Sequence, residues 1–271
     1  MKKLICPDLP LGSSLCQEQI DFFKEHGAIV FRHVLLKDQV ELIISEIERI
    51  EKKWVAEGRQ KINGIPLKFG KDEMGNTVIQ RGCFLSLYSD TLHQLMQDCR
   101  MMALTSLMTT HAGRISETEK DGLVYNHYIR IPNSTFTHMG WHTDSPRDLF
   151  LGHRIMPMFN VGIHLDDCPM ENGGLRIIPG SHKQSNLKML FGKKYFIDNN
   201  PDPREAGFDI NAGDISVHDG RIWHRVQQSP NYGKKSQRRV LYIPIITGKY
   251  LPKNEKSRTP FNHYFTSKSH K

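Results

Sequence analysis

Three residues set the chemistry to be explained. In Gly140-Trp141-His142-Thr143-Asp144-Ser145 a histidine and an aspartate stand two apart, and His224 follows 82 positions after His142. On extended backbone, side chains two apart leave the same face, so His142 and Asp144 can reach one ion. His224 lies in a run, 222–227, that reads as another strand and can bring a third ligand. Two imidazoles and one carboxylate on one face of an iron leave three adjacent positions open. Such a site suits iron(II) oxygenases, where O₂ and a bidentate co-substrate bind together. His218 is a rival third ligand, but its neighbours Asp219-Gly220 signal a turn and place it at a strand end.

A fourth residue fits the same chemistry. Arg238 opens the apolar run Val240-Leu241-Tyr242-Ile243. A guanidinium there is expensive to bury unless it meets an anion, and its fork matches a carboxylate bidentately. The far carboxylate of 2-oxoglutarate is such an anion, with the keto-acid end chelating iron.

With its flanking blocks the chain resembles the phytanoyl-CoA dioxygenase family of 2-oxoglutarate-dependent oxygenases. The blocks are Trp141-His142-Thr143-Asp144, Asp166-Asp167-Cys168-Pro169-Met170-Glu171-Asn172-Gly173-Gly174-Leu175, Pro179-Gly180-Ser181-His182 and Gly213-Asp214-Ile215-Ser216-Val217. The stretch from His224 to Arg238-Arg239 completes them, and the similarity spans residues 15–250. The resemblance implies a double-stranded β-helix (jelly-roll, cupin-like) core with helices on one side. It implies iron at His142, Asp144 and His224, and 2-oxoglutarate at Arg238. Two departures stand out. Thr143 replaces the family's usual glutamine, on a side chain expected to point away. The gap from His224 to the arginine is longer, through 231–235, which makes Arg239 a competitor; Arg238 is preferred because the family's arginine precedes a variable residue and then the apolar strand. Halogenases of this type replace the carboxylate ligand with a small residue, so an intact Asp144 points to hydroxylation or a related oxidation.

Other candidates follow from position. Arg130 stands where family members carry a lysine before proline, and Tyr128 lies two residues earlier; both are candidates to bind the co-substrate. Arg147 and Arg154 follow the His-x-Asp segment and are candidates to recognise an anionic substrate, against the ordinary fate of a solvated arginine. Trp141 and Trp223 flank ligands and by strand alternation should pack on the opposite face as core. His182 and the glycines of the two motif blocks read as turn residues.

The elements that must position these residues divide the chain. Helical spacing marks 15–26, ended by Gly27, then a strand at 28–31, a long amphipathic helix over 37–57 and another over 90–110. A loop is expected around Gly64, Pro66, Gly70 and Gly75. From about residue 122 short strands alternate with turns at 123–131, 159–165, 174–178, 214–217, 222–227 and 239–246, a β-sandwich or barrel pattern. The fold class is therefore mainly β with flanking helices. One domain is expected over 1–252, with helical support over 1–121 and a jelly-roll core over 122–252. Residues 183–208 read as an insertion or lid, and 253–271 as a poorly ordered basic tail.

Composition narrows the alternatives. The net charge of +8 sits partly in the tail and in Lys234–Arg239, without any nucleic-acid-binding motif, so an anionic small molecule is a better partner than nucleic acid. Five cysteines, odd in number and without a CxxC pair, read as reduced thiols in a cytoplasmic protein. Pro7, Asp8 and Pro10 interrupt any signal-peptide core, and no apolar run is long enough for a membrane span. The expected function is hydroxylation of a small organic or acyl-type substrate with iron(II), 2-oxoglutarate and O₂, releasing succinate and CO₂. The competing classes are a cupin-like metal isomerase or hydrolase, and a non-catalytic binding module.

Overall fold

A computed structural model describes residues 2–132, 134 and 136–260. Two sheets face each other. The larger runs Ala28–Phe31, Ile215–Asp219, Met158–His164, Arg238–Ile246, Val124–Tyr128, Thr77–Gly82 and Lys68–Lys71, with Arg114–Ile115 also paired to Arg238–Ile246. The smaller runs Lys2–Lys3, Ala206–Gly207, Gly174–Ile177, His224–Gln227 and Met139–His142. This is the jelly roll that the family resemblance implies, and a form of the sandwich or barrel that the strand pattern anticipates.

Strand parity sorts the side chains of the larger sheet. Phe159, Val161 and Ile163, with Ile215, Val217, Leu241, Ile243 and Ile245, join one core with Phe23, Ile43, Ile47, Ile50 and Leu92 of the helices. The alternate residues Asn126, Tyr128, Asn160, His218 and Tyr242 turn to the space between the sheets. A helix layer on one face and a site on the other follow from the period of two.

The helices Gln17–His26 and Lys37–Ala56 agree with their expected spans. The first ends at Gly27, whose φ of 76° gives the left-handed cap that glycine adopts without penalty. The third expected helix is broken: Asp90–Gln97 stops at Asp98, in extended backbone, whose side chain caps a new helix, Cys99–Ala103. Local capping by Asp98 outweighs the continuous apolar pattern.

The expected loop near residue 70 is wrong in an informative way. It forms two hairpins, Lys61–Ile62 with Ile65–Pro66 and Lys68–Lys71 with Thr77–Gly82, and the second extends the larger sheet. Glycines that read as breakers serve strand packing here. A Cβ at Gly70 would lie 2.4 Å from the end of the Gln80 side chain, so the amide lies over the glycine and would have to move for any larger residue.

The tail is partly placed. Lys253 N–H donates to Thr118 O, and Glu255 pairs with Arg59 at 3.0 Å. Residues 261–271, with Lys268 and Lys271, lie outside the described residues. All five cysteines are unpaired. Among the described residues no helix is long and apolar enough to cross a membrane.

Two buried carboxylates make measurable contributions. Asp148 pairs with Lys120 at 2.7 Å, both side chains being shielded from solvent, and accepts from Tyr250 Oη and Met156 N. Asp148→Ala leaves the ammonium unpaired, and we expect a loss of about 3–5 kcal/mol, read from urea unfolding. A variant as stable as the parent would refute this.

Glu51 behaves differently. Its carboxylate accepts the Ile79 N–H, yet burial pushes its pKa from 4.5 up to about 7, with Glu48 and Asp72 reinforcing the rise. A folded pKa above the unfolded one means the stabilisation is complete below about pH 4.5 and is lost as pH rises through about 7. Glu51→Gln should therefore gain on the parent by about 1–3 kcal/mol between pH 5 and pH 8. Parallel stability profiles for the two proteins would refute this.

Candidate metal centre

The strands Met139–His142 and His224–Gln227 pair antiparallel with His142 directly opposite His224. The long sequence separation thus closes into one cross-strand pair, with ring centroids 4.1 Å apart. Asp144 lies just past the strand end, in a turn held where the amides of Asp144 and Ser145 donate to Gly220 O at 2.8 and 2.9 Å. Its carboxylate is 3.9 Å from His142 Nε2 and 3.5 Å from His224 Nε2. One candidate ligand atom from each residue falls within 4.8 Å of the others.

The backbone orients both imidazoles. His142 Nδ1 is 2.8 Å from Gly140 O, and His224 Nδ1 is 3.1 Å from Ile222 O. A carbonyl only accepts, so each Nδ1 carries the proton and each Nε2 keeps its lone pair for a metal. Burial lowers the pKa of His142 and pushes that of His224 well below the usual range, favouring neutral rings. Burial opposes ionisation of Asp144, but His224, His218 and His142 together hold its carboxyl well below the usual carboxylate range. Asn160 Nδ2 donates to Asp144 Oδ2 at 2.6 Å. All three groups are therefore in the protonation state a divalent metal requires.

His218 sits next to the end of strand Ile215–Asp219, as the turn signal implied. Its Nε2 is 3.6 Å from Asp144 Oδ2, yet it lies outside the group of atoms that close on one point. It is a wall of the cavity, and both ring nitrogens are buried without a hydrogen-bond partner.

The cavity at this site has a volume of about 280 Å³. Its wall includes Asn126, Tyr128, Met139, Phe196 and Tyr242 beside the three candidate ligands. A larger surface groove of about 500 Å³ lies by Glu46, Arg49 and Tyr88, remote from these residues in its lining and without metal-ligand chemistry.

Strand alternation separates the two arginines. Arg238 points between the sheets, where Nη1 donates to Gln227 O at 2.7 Å and Nη2 to Thr137 O at 3.2 Å. Its Nε is buried with no partner, and among the described residues no carboxylate pairs with it. Arg239 turns the other way and grips Asp166, with Nη2 to Oδ1 at 2.7 Å. Only Arg238 is left wanting an anion. Tyr128 lies opposite Arg238 in register, its ring 5.5 Å from the guanidinium carbon; it lines both the triad's cavity and a smaller one that Arg238 also lines.

Two expected contacts do not form. Arg130 donates to Ser229 O and Tyr232 Oη and stacks on the Tyr232 ring; it ties down the 229–236 connection and does not line the cavity. The inserted connection gives this arginine nearer partners than the site. Arg154 is exposed and also absent from the wall. Arg147 does reach it, held by Asp121 at 3.1 Å.

The expected lid is partly built structure. It contains the helix Asn186–Phe191, and residues 196–198 bond the backbone of Trp141, with Trp141 N donating to Asp198 O and Phe196 N to Trp141 O. The Phe196 ring stacks on His142 at 4.7 Å. This approach requires Gly140, since a Cβ there would meet Phe196 O at 2.6 Å. Thr143 turns away from the cavity to Tyr195 Oη, 2.6 Å distant. Trp141 and Trp223 pack on that same far side with Ile178.

Sequence reasoning missed Asn160, Phe196, Tyr242, Lys68 and Arg81 as wall residues. The signal for Asn160 was available: within Met158–His164 it shares parity with Gly162 and His164, opposite the apolar face.

The sequence matches the phytanoyl-CoA dioxygenase (PhyH) family over residues 23–238. The chain belongs to this family. Compared with curated protein sequences, it has no match. Among solved structures it is similar to the non-heme alpha ketoglutarate dependent carbocyclase SnoK from nogalamycin biosynthesis. That pair has 17% identity and a TM-score of 0.66, covering 96% of this chain and 93% of the other. HygX from Streptomyces hygroscopicus, with nickel and 2-oxoglutarate bound, gives 18% identity and a TM-score of 0.60, over 88% of this chain and 89% of that one. The epimerase SnoN, in complex with Fe3+, alpha ketoglutarate and nogalamycin RO, gives 16% and 0.60, over 89% and 93%. At these identities the likeness shows the phytanoyl-CoA dioxygenase-like fold and carries no substrate with it.

Proposed function

We propose that this member of the phytanoyl-CoA dioxygenase family is an iron(II)- and 2-oxoglutarate-dependent dioxygenase that hydroxylates a small organic substrate, releasing succinate and CO₂. The observation that carries the proposal is the closure of His142, Asp144 and His224 on one point, with both Nδ1 atoms occupied by carbonyls. These donors suit iron(II), and His142, Asp144 and His224 would hold it. When bound, iron(II) with 2-oxoglutarate supplies the O₂ chemistry that no side chain of the site provides.

The protein's own residues do the rest. Asn160 holds one oxygen of Asp144, so the carboxylate keeps a fixed direction. Arg238 receives the far carboxylate of 2-oxoglutarate, and Tyr128 packs beside it. Phe196 covers His142 and narrows access for water. A cupin-like isomerase or hydrolase, or a non-catalytic module, would leave the buried, anion-seeking Arg238 unexplained. A carbocyclase and an epimerase share this fold, so the choice of hydroxylation rests on the intact Asp144 and not on the fold. Five unpaired cysteines support a cytoplasmic setting.

The test is anaerobic titration of the metal-free protein with iron(II) and 2-oxoglutarate, followed by the weak visible charge-transfer absorption of the chelate. A band that needs both components supports the proposal. A folded, iron-loaded protein without the band refutes it.

A further inference from the structure

We propose that Lys68 and Arg81 form a subsite for an anionic group, carboxylate or phosphate, of the substrate oxidised at the triad. The inference rests on the function proposed above and adds the substrate's charge.

Lys68 and Arg81 are direct cross-strand partners in the hairpin that joins the larger sheet. Like charges placed opposite one another in a sheet repel and destabilise it. Both side chains line the triad's cavity, together with Arg147. Asp121 serves two of the three cations, at 2.8 Å from Arg81 and 3.1 Å from Arg147. Lys68 has no carboxylate within 4.0 Å among the described residues; its ammonium lies 4.8 Å from the Phe136 ring centroid. Burial, with the charge of Arg81 adding to it, pulls its pKa from 10.5 down to about 8. The ammonium is thus held partly desolvated beside a like charge, a cost that an incoming anion would reverse. The co-substrate does not need these cations, because Arg238 already offers its carboxylate a buried fork. The remaining anion to be recognised is the substrate's.

The probes are inorganic phosphate and acetate, titrated calorimetrically into the full-length protein carrying iron(II) and saturating 2-oxoglutarate under anaerobic conditions, and again into metal-free protein. At least one anion should bind, and Lys68→Gln should weaken it by about 10- to 100-fold, as loss of a charged hydrogen bond implies. Lys68→Arg should restore binding, and 2-oxoglutarate affinity should be unchanged in both variants. Tighter binding of phosphate would identify a phosphorylated substrate, and of acetate a carboxylic acid. Equal anion binding by parent and Lys68→Gln overturns the proposal, as does no binding of either anion. Loss of 2-oxoglutarate affinity in Lys68→Gln also overturns it, by assigning the cation to the co-substrate. Because the metal-free titration does not use the chelate, a missing charge-transfer band would count against the proposed function alone.

Discussion

Asp144→Ala is expected to remove iron(II) binding while leaving a folded protein. Asp144 is the single anionic member of the candidate ligand group, and three histidines that crowd it hold its carboxyl ionised. Without it, His142 and His224 remain as a cross-strand pair of neutral imidazoles, which is two ligands with no charge to offset a dication. Loss of an outer hydrogen bond to a ligand costs metal sites about 10- to 100-fold, so loss of the ligand itself should exceed about 100-fold. The readouts are iron content after desalting and the chelate absorption, which should vanish with turnover. The fold should survive, because the Asp144 backbone, not its side chain, bonds Gly220. An Asp144→Ala protein that retains stoichiometric iron would show that His218 or another group completes the site.

Arg238→Ala should impair 2-oxoglutarate and spare the metal. Truncating one partner of a buried, hydrogen-bonded charge pair typically costs 2–5 kcal/mol, which is about 30-fold or more in the co-substrate's dissociation constant. Arg238→Lys should recover only part, because an ammonium cannot repeat the two parallel bonds of the fork. Arg239→Ala is the matched control. It breaks the grip on Asp166 at the edge of the helix layer and should change stability while leaving co-substrate affinity near that of the parent. Anaerobic chelate titrations of the three variants decide the matter. If Arg239→Ala were the one to lose 2-oxoglutarate, the assignment by strand parity would be wrong.

These two experiments separate layers that the structure itself separates. The two histidines stand on the edge strand of the smaller sheet and its neighbour, with Asp144 just past the edge strand's end, whereas Arg238 opens the strand Arg238–Ile246 of the larger. Metal and co-substrate are thus expected to span the space between the two sheets. Phe196, brought over His142 by the 183–208 segment, closes the same space from a third side.

Much of this site was legible in the sequence because its signals are local or periodic. His-x-Asp and the apolar strand after Arg238 each need only a few residues to state a direction. The long helices and Gly27 cap were legible for the same reason. The preference for Arg238 over Arg239 rested on the family's order of arginine, variable residue and apolar strand, and the period of two then turns the two side chains to opposite faces of the sheet.

The remainder depended on which distant segments meet. Arg130 fits its family position, but the inserted connection after His224 supplies it with Ser229, Pro230 and Tyr232 as closer partners. Gly70 reads as a loop breaker until the Gln80 side chain is seen lying over it. The cross-strand pairing of Lys68 with Arg81 has no trace in spacing, since a hairpin with a turn of that length could take several registers. By itself the sequence determined the candidate ligand types, the alternation that points them inward and the place of an arginine at the start of an apolar strand, all consequences of short-range backbone geometry. The tertiary structure alone decided that His142 faces His224, that Phe196 covers His142 and that Lys68 and Arg81 face each other on the cavity wall, because contact between remote segments is set by packing and not by spacing.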